Sequence, residues 1–213
     1  MIIMNDNTFI GSLKQQSHVA QFLLFAYSIA AFTPPNARVL GIGVGFNSIA
    51  EFCYNAEIYL QKYHLAQEFT GIDIDDRHLS IIREGLAQNE IPVEQYRFIH
   101  ADAQRLETIT TGQFGLTIVR HPQVEENHSD AKHHELYDVW MNIFEKAKQK
   151  VSNNGLLIAT HFRQQGFLYT KEILQEQGYD LKFSGENPFK GSYFRSENNE
   201  PCHFDKYLIV ARK

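Results

Sequence analysis

Only two cysteines, Cys53 and Cys202, and one tryptophan occur in the 213 residues. Two thiols that far apart build neither a disulfide framework nor a paired metal-ligand motif, so a reducing compartment, the cytoplasm, is the expectation. Positive charge is also in deficit: 20 Lys and Arg stand against 25 Asp and Glu, a formal charge of −5. Such a chain has no global attraction to phosphates, which disfavours nucleic acid as a partner. Nor does any segment supply the roughly 20 apolar residues of a membrane helix. The run Val19 to Phe32 holds Gln21 and Ser28, follows only Lys14 as a basic flank, and lacks a small-x-small pattern before Thr33-Pro34-Pro35. It is expected to be a buried amino-terminal helix, capped by Ser17 and stopped before Pro34, not a signal peptide.

What the chain does have is alternation. From Arg38 onward, short Ile- and Val-rich runs exchange with segments of helical period, the pattern of βαβ units. Strands are expected at Arg38 to Ile42, Phe69 to Ile74, Tyr96 to Ala101, Phe114 to Val119, Leu156 to Thr160, Asp180 to Ser184 and Lys206 to Ala211. Ile49, Phe52, Cys53, Ala56, Tyr59, Leu60 and Tyr63 share one helical face, and so do Leu136, Trp140, Ile143, Phe144, Ala147 and Val151. Asn153-Asn154-Gly155 supplies the stop after the second of these helices. The segment Gly185 to His203, with Pro188, Gly191 and Pro201, has no apolar period, so a long loop should join the last two strands as an antiparallel pair. The expected fold is α/β: a Rossmann-like, seven-stranded, mostly parallel sheet with helices on both faces and an antiparallel carboxyl-terminal hairpin strand. Residues 1–36 form an amino-terminal helical cap or lid on a domain of residues 37–213.

The first strand runs into Gly41-Ile42-Gly43-Val44-Gly45-Phe46-Asn47 and then a helix. Glycines at 43 and 45 permit φ > 0 and let bare backbone approach a ligand, while the helix start offers N–H groups to an anion such as a carboxylate. Asp73, in Gly71-Ile72-Asp73-Ile74, ends strand two beside that loop, where its carboxylate can accept from both ribose hydroxyls at the switch point of the sheet. Asp102, in His100-Ala101-Asp102-Ala103, ends strand three; it can accept from an adenine amino group or simply cap the next helix.

This set of a glycine-rich loop, an acid after strand two, an acid after strand three and a terminal hairpin resembles the class I S-adenosylmethionine-dependent methyltransferases, over Ala37 to Lys213. The resemblance implies S-adenosylmethionine as cofactor. It implies that Gly43 and Gly45 line the methionine moiety, that Asp73 meets the ribose, that Asp102 and Ala103 meet the adenine, and that Gly41, Asn47 and Ile74 also belong to the cofactor-binding set. Two positions depart from the family pattern: Gly41 stands where many members carry an acid, which removes a partner for the cofactor's ammonium or a nearby water, and Asn47 replaces the third glycine. A dinucleotide site is the other use of such a loop, but G-x-G-x-x-G counted from Gly43 ends on Ser48, which leaves an NAD(P)-dependent oxidoreductase the poorer reading.

In that fold the residues after strand four face both cofactor and acceptor, here Arg120-His121-Pro122-Gln123. Methyl transfer needs a base only when the nucleophile must lose a proton, and His121 has the chemistry of one; otherwise it shapes the pocket. The Asp/Asn-Pro-Pro-aromatic tetrapeptide of nucleobase amino-methyltransferases is absent, and Pro201-Cys202 lies at the wrong end of the chain for a cytosine C5 enzyme. His121, His128, His133 and His134 with Glu125, Glu126, Asp130 and Glu135 match no compact ligand spacing, so no metal is expected. The expected activity is methyl transfer to a small molecule or a protein side chain, under a lid from the amino terminus and from 185–203. The competing class is a binding or scaffold protein of the same fold without turnover.

Overall fold

The computed structural model describes residues 17–45, 49–88, 93–122, 124, 130–189, 193–195, 201–203 and 205–213. Each of the seven apolar runs forms a strand: β1 (Arg38–Ile42), β2 (Glu68–Asp73), β3 (Tyr96–His100), β4 (Phe114–Arg120), β5 (Val151–His161), β6 (Asp180–Glu186) and, after a short ribbon of β7 (Tyr193–Arg195) and β8 (Pro201–His203), β9 (Tyr207–Arg212). They form one seven-stranded sheet in the order 3-2-1-4-5-9-6. β3, β2, β1, β4 and β5 pair parallel, and β9 inserts between β5 and β6, antiparallel to both.

Both faces of this sheet are covered, which is why its strands read as continuous apolar runs and not as alternating ones. Val39, Leu116, Ile158 and Val210 point into one core with α1 (Ser17–Ile29), α2 (Ile49–Tyr63) and α3 (Asp76–Gln88). Their neighbours Leu40, Val119, Leu157 and Ile209 point into the other, with α4 (Leu106–Ile109), α5 (Asp130–Lys150) and α6 (Gln164–Glu176). The chain lays down β1, β2 and β3 in one direction and then returns to set β4 on the other side of β1. Connections after β1 and β4 therefore part in opposite directions and leave a crevice at the carboxyl ends of these strands.

The amino-terminal helix packs into the first core through Val19, Phe22, Leu23, Ala26 and Tyr27. It ends where Ala31 turns left-handed (φ +45) and the N–H of Phe32 returns to the carbonyl of Tyr27 at 2.8 Å. Arg212, at the end of β9, donates to the carbonyl of Ala30, and the Tyr27 hydroxyl donates to Asn55 of α2. Among the described residues no helix is long and apolar enough to cross a membrane.

Three local expectations differ from what forms. The buried stripe of α2 contains Glu51, Phe52, Asn55, Ile58 and Tyr59, while Leu60 is 52% exposed. Hydrophobicity alone misplaces that face, because two polar residues are held inside by partners from other elements. Helix α5 gives way to β5 directly at Val151, and Asn154 (φ +63) with Gly155 forms a bulge in the strand opposite Phe114 and Leu116. The connection 185–203 is not plain loop, since β7 and β8 pair antiparallel within it.

Since Phe22 has no exposed surface, Phe22→Ala should destabilise the whole chain by about 3–5 kcal/mol. Urea unfolding should show a lowered midpoint at unchanged slope if α1 belongs to the same cooperative unit.

Candidate functional site

The turn after β1 is held in the conformation its glycines allow. Gly43 and Gly45 adopt φ of +63° and +54°, and a Cβ added to either would meet no atom of the other described residues within 4 Å. The turn is thus left-handed at two points and open on its outer side, so backbone is the surface that it offers. It is fastened to β2: the N–H of Gly43 donates to the carbonyl of Ile72 at 2.8 Å, and that of Gly45 to Asp73 Oδ2 at 2.9 Å. Asp73 Oδ1 accepts from the N–H of Asp75 at 2.8 Å, and His78 Nδ1 stands 3.5 Å from Oδ2. The two places singled out in the sequence are therefore in contact. A carboxylate offers about four acceptor positions, so both oxygens retain capacity for a ligand's hydroxyls. Next to this nearly buried acid in the chain, Ile74 is 73% exposed.

The other predicted contacts divide. Asp102 caps the 3₁₀ turn Ala103–Arg105, its Oδ1 accepting from the N–H of Gln104 at 2.8 Å and its Oδ2 from Gln104 Nε2 at 3.1 Å; the capping role open to it in the sequence is realised. Ala103, half-buried, begins that turn. Gly41 is buried in β1, and a Cβ there would lie 2.6 Å from Val44 Cγ1 and 2.9 Å from the Phe69 ring. Packing requires glycine at 41, and an acid has no room. Asn47 lies outside the described residues, as do the side chains of His128, His133 and His134.

At the end of β4 the structure assembles a buried ionic cluster. Arg120 meets Asp205 twice, Nη2 to Oδ2 at 2.7 Å and Nε to Oδ1 at 3.4 Å, and its Nε is 3.7 Å from Glu51 Oε2. His18 Nε2 is 3.5 Å from Asp205 Oδ2, and His121 Nε2 is 3.3 Å from Oδ1. His121 is itself left-handed (φ +53), with its N–H on the carbonyl of Thr160 at 2.8 Å. That conformation costs a non-glycine residue roughly 1–2 kcal/mol, and it turns the ring onto Asp205, 5.8 Å from the Phe162 ring. Asp205, Glu51 and His18 were not found from sequence, because their significance lies in contacts between α1, α2, β4 and the turn before β9. The one available signal was Glu51 and Asn55, four apart, on the side of α2 that also carries Phe52 and Tyr59.

Burial acts differently on each member. It would raise Asp205, but the charge of Arg120 and hydrogen bonds from His121 and His18 outweigh it and hold that carboxyl well below the usual range. Glu51, buried and only distantly paired, is pushed up to about 7, with Arg120 pulling down and Asp205 pushing further up. Burial, aided by His121, takes His161 down to about 3 against the pull of Asp205, so this ring is neutral. A cavity of about 490 Å³, lined by Met141, Glu145, Lys148 and Gln177 with Lys213, lies by the amino ends of the parallel strands, away from this chemistry.

The Glu51 shift has a definite sign for stability. Between its unfolded value near 4.5 and about 7, the folded carboxyl keeps a proton that the unfolded one has lost, so its contribution declines as pH rises, by about 1.4 kcal/mol per pH unit. Glu51→Gln removes this loss. Denaturation at pH 5 and pH 8 should show the variant gaining on the wild type at the higher pH; a constant difference would mean that Glu51 is ionised throughout.

No protein-family model and no curated protein matches the chain. Solved structures do. The N-methyltransferase NodS of Bradyrhizobium japonicum is 14% identical with a TM-score of 0.60, over 94% of this chain and 96% of that one. Magnesium protoporphyrin IX methyltransferase of Synechocystis, solved with S-adenosylmethionine bound, is 13% identical at 0.59, over 96% and 81%. An rRNA methylase of Streptococcus thermophilus is 11% identical at 0.57, over 89% and 94%. Sheet order, the place of the antiparallel strand and these likenesses agree: the chain has the class I S-adenosylmethionine-dependent methyltransferase fold.

Proposed function

We propose that the protein transfers a methyl group from S-adenosylmethionine to a small molecule or a protein side chain. The observation that carries this reading is the open, left-handed turn at Gly43 and Gly45 fastened to the carboxylate of Asp73. The donor set fits the ligand. Bare backbone meets the amino-acid end, Asp73 accepts from the ribose hydroxyls, the exposed side chain of Ile74 supports the flat base, and Asp102 with Ala103 borders it. Bound there, S-adenosylmethionine supplies a methyl group already activated by its sulfonium.

The chain's own contribution is position and, for acceptors that carry a proton, a base. His121 is the candidate, held at the end of β4 with Asp205 behind it to offset the charge that its ring gains. Arg120 is committed to Asp205 and Glu51, which favours an uncharged acceptor over a carboxylate or phosphate that would need a free arginine. The solved neighbours act on different acceptors by their descriptions, so fold alone does not choose among them.

Calorimetric titration with S-adenosylhomocysteine should give a dissociation constant well below about 1 mM, and Asp73→Ala should weaken it at least about tenfold, the usual worth of hydrogen bonds to a charged group. Absence of binding by the wild type, or an unchanged affinity in the variant, contradicts the reading. Release of S-adenosylhomocysteine over a metabolite panel, above a Gly45→Trp control, distinguishes an enzyme from a binding protein.

A further inference from the structure

Glu51 is a carboxylate that the fold buries without satisfying. It lies in the first turn of α2, is 2% exposed, and its Oε2 accepts no hydrogen bond. Its nearest cationic atom, Arg120 Nε, is 3.7 Å away, whereas the same guanidinium holds Asp205 at 2.7 Å. Two carboxylates thus face one arginine, and the closer one takes most of its charge. A buried carboxylate whose only cation is distant and shared costs several kcal/mol, which the folded chain avoids by retaining a proton, hence the value of about 7. Among the described residues the corner is one cation short.

Its position says which cation. Ile42 of β1 pairs with Val119 of β4, so the next residues, Gly43 and Arg120, leave the sheet side by side at the switch point. Helix α2, which brings Glu51 to Arg120, begins just past the glycine turn. At position 41 no acid fits, because Val44 and Phe69 fill the space that a side chain would need. Through Arg120, whose strand runs beside β1, the unsatisfied carboxylate at the start of α2 is thus held on the β4 side of the switch point, where the amino-acid end of an adenosyl ligand would lie.

We propose that Glu51 receives the α-ammonium of that ligand, an inference that rests on the S-adenosylmethionine reading above. Among the described residues the other groups facing this corner do not supply the charge: Asp205 is an anion, His161 is neutral, and the Tyr27 hydroxyl, raised by burial and by its neighbours Tyr59, Tyr63 and Glu51, keeps its proton. His18 and His121 face Asp205. The ligand's ammonium takes the place of the proton on Glu51, so binding releases a proton below pH 7. Affinity then rises from pH 6 to pH 8 by about tenfold, following the ionised fraction of Glu51.

The test compares two probes by calorimetry: S-adenosylhomocysteine, and 5′-methylthioadenosine, which has the same adenosyl thioether but no amino-acid end. Glu51→Gln should weaken the first about tenfold or more at pH 8 and abolish its pH dependence, while leaving the second within about twofold of the wild type. Glu51→Asp, which keeps the charge, should recover part of the loss. If Glu51→Gln leaves S-adenosylhomocysteine unchanged, or weakens both probes alike, Glu51 does not hold the ammonium and the inference falls. Failure of the wild type to bind either probe instead refutes the adenosyl reading itself.

Discussion

A carboxylate buried at the end of a strand must find donors, and Asp73 finds them in the N–H groups of Gly45 and Asp75. Through those two bonds one side chain fixes the turn after β1, the turn after β2, and the distance between them. The left-handed backbone at Gly43 and Gly45 would otherwise have little to hold it, since among the described residues nothing lies within 4 Å of where a Cβ would stand at either glycine. Everything assigned to the ligand side of the protein depends on this tie. It makes the bare turn and the acid parts of one unit in place of two separate loops.

A second constraint closes the same end of the sheet. Asp205 binds Arg120 from β4, His121 beside it and His18 from α1, and Glu51 comes to Arg120 from α2. Buried pairs of this kind contribute little net stability once desolvation is counted, and breaking one by removing a partner is costly. What the arrangement supplies is register: the amino-terminal helix and the turn before β9, nearly two hundred residues apart in sequence, are each set against the end of β4. It also exhausts the arginine, which shapes the chemistry that the site can accept.

The frame was legible because two-sided burial writes itself into strands: Val39-Leu40, Val119 and Leu156-Leu157-Ile158 admit little else, and the chain after Ser184 offers no crossover helix, which forces β9 antiparallel. Gly43, Gly45 and Asp73 were legible for a related reason, as positive φ and a strand-terminal acid leave local traces. The rest depends on contacts that no window of sequence contains. The apolar period of α2 pointed at Leu60, whereas the structure turns Glu51 and Asn55 inward, because Arg120 and Tyr27 wait for them there. Gly41 looked like a missing acid and is instead a packing requirement of Val44 and Phe69. Asp102 carried two roles in the sequence, and its oxygens are occupied by Gln104.

The most direct measurement is a crystal structure of the protein with S-adenosylhomocysteine. It should show the ribose hydroxyls within hydrogen-bonding distance of Asp73 and the amino-acid end laid over residues 43 to 45. Density for the nucleoside anywhere else, such as the cavity between Met141, Lys148 and Lys213, or a turn at 43 to 45 closed by side chains, would contradict the convergence of that elbow and that carboxylate on one ligand.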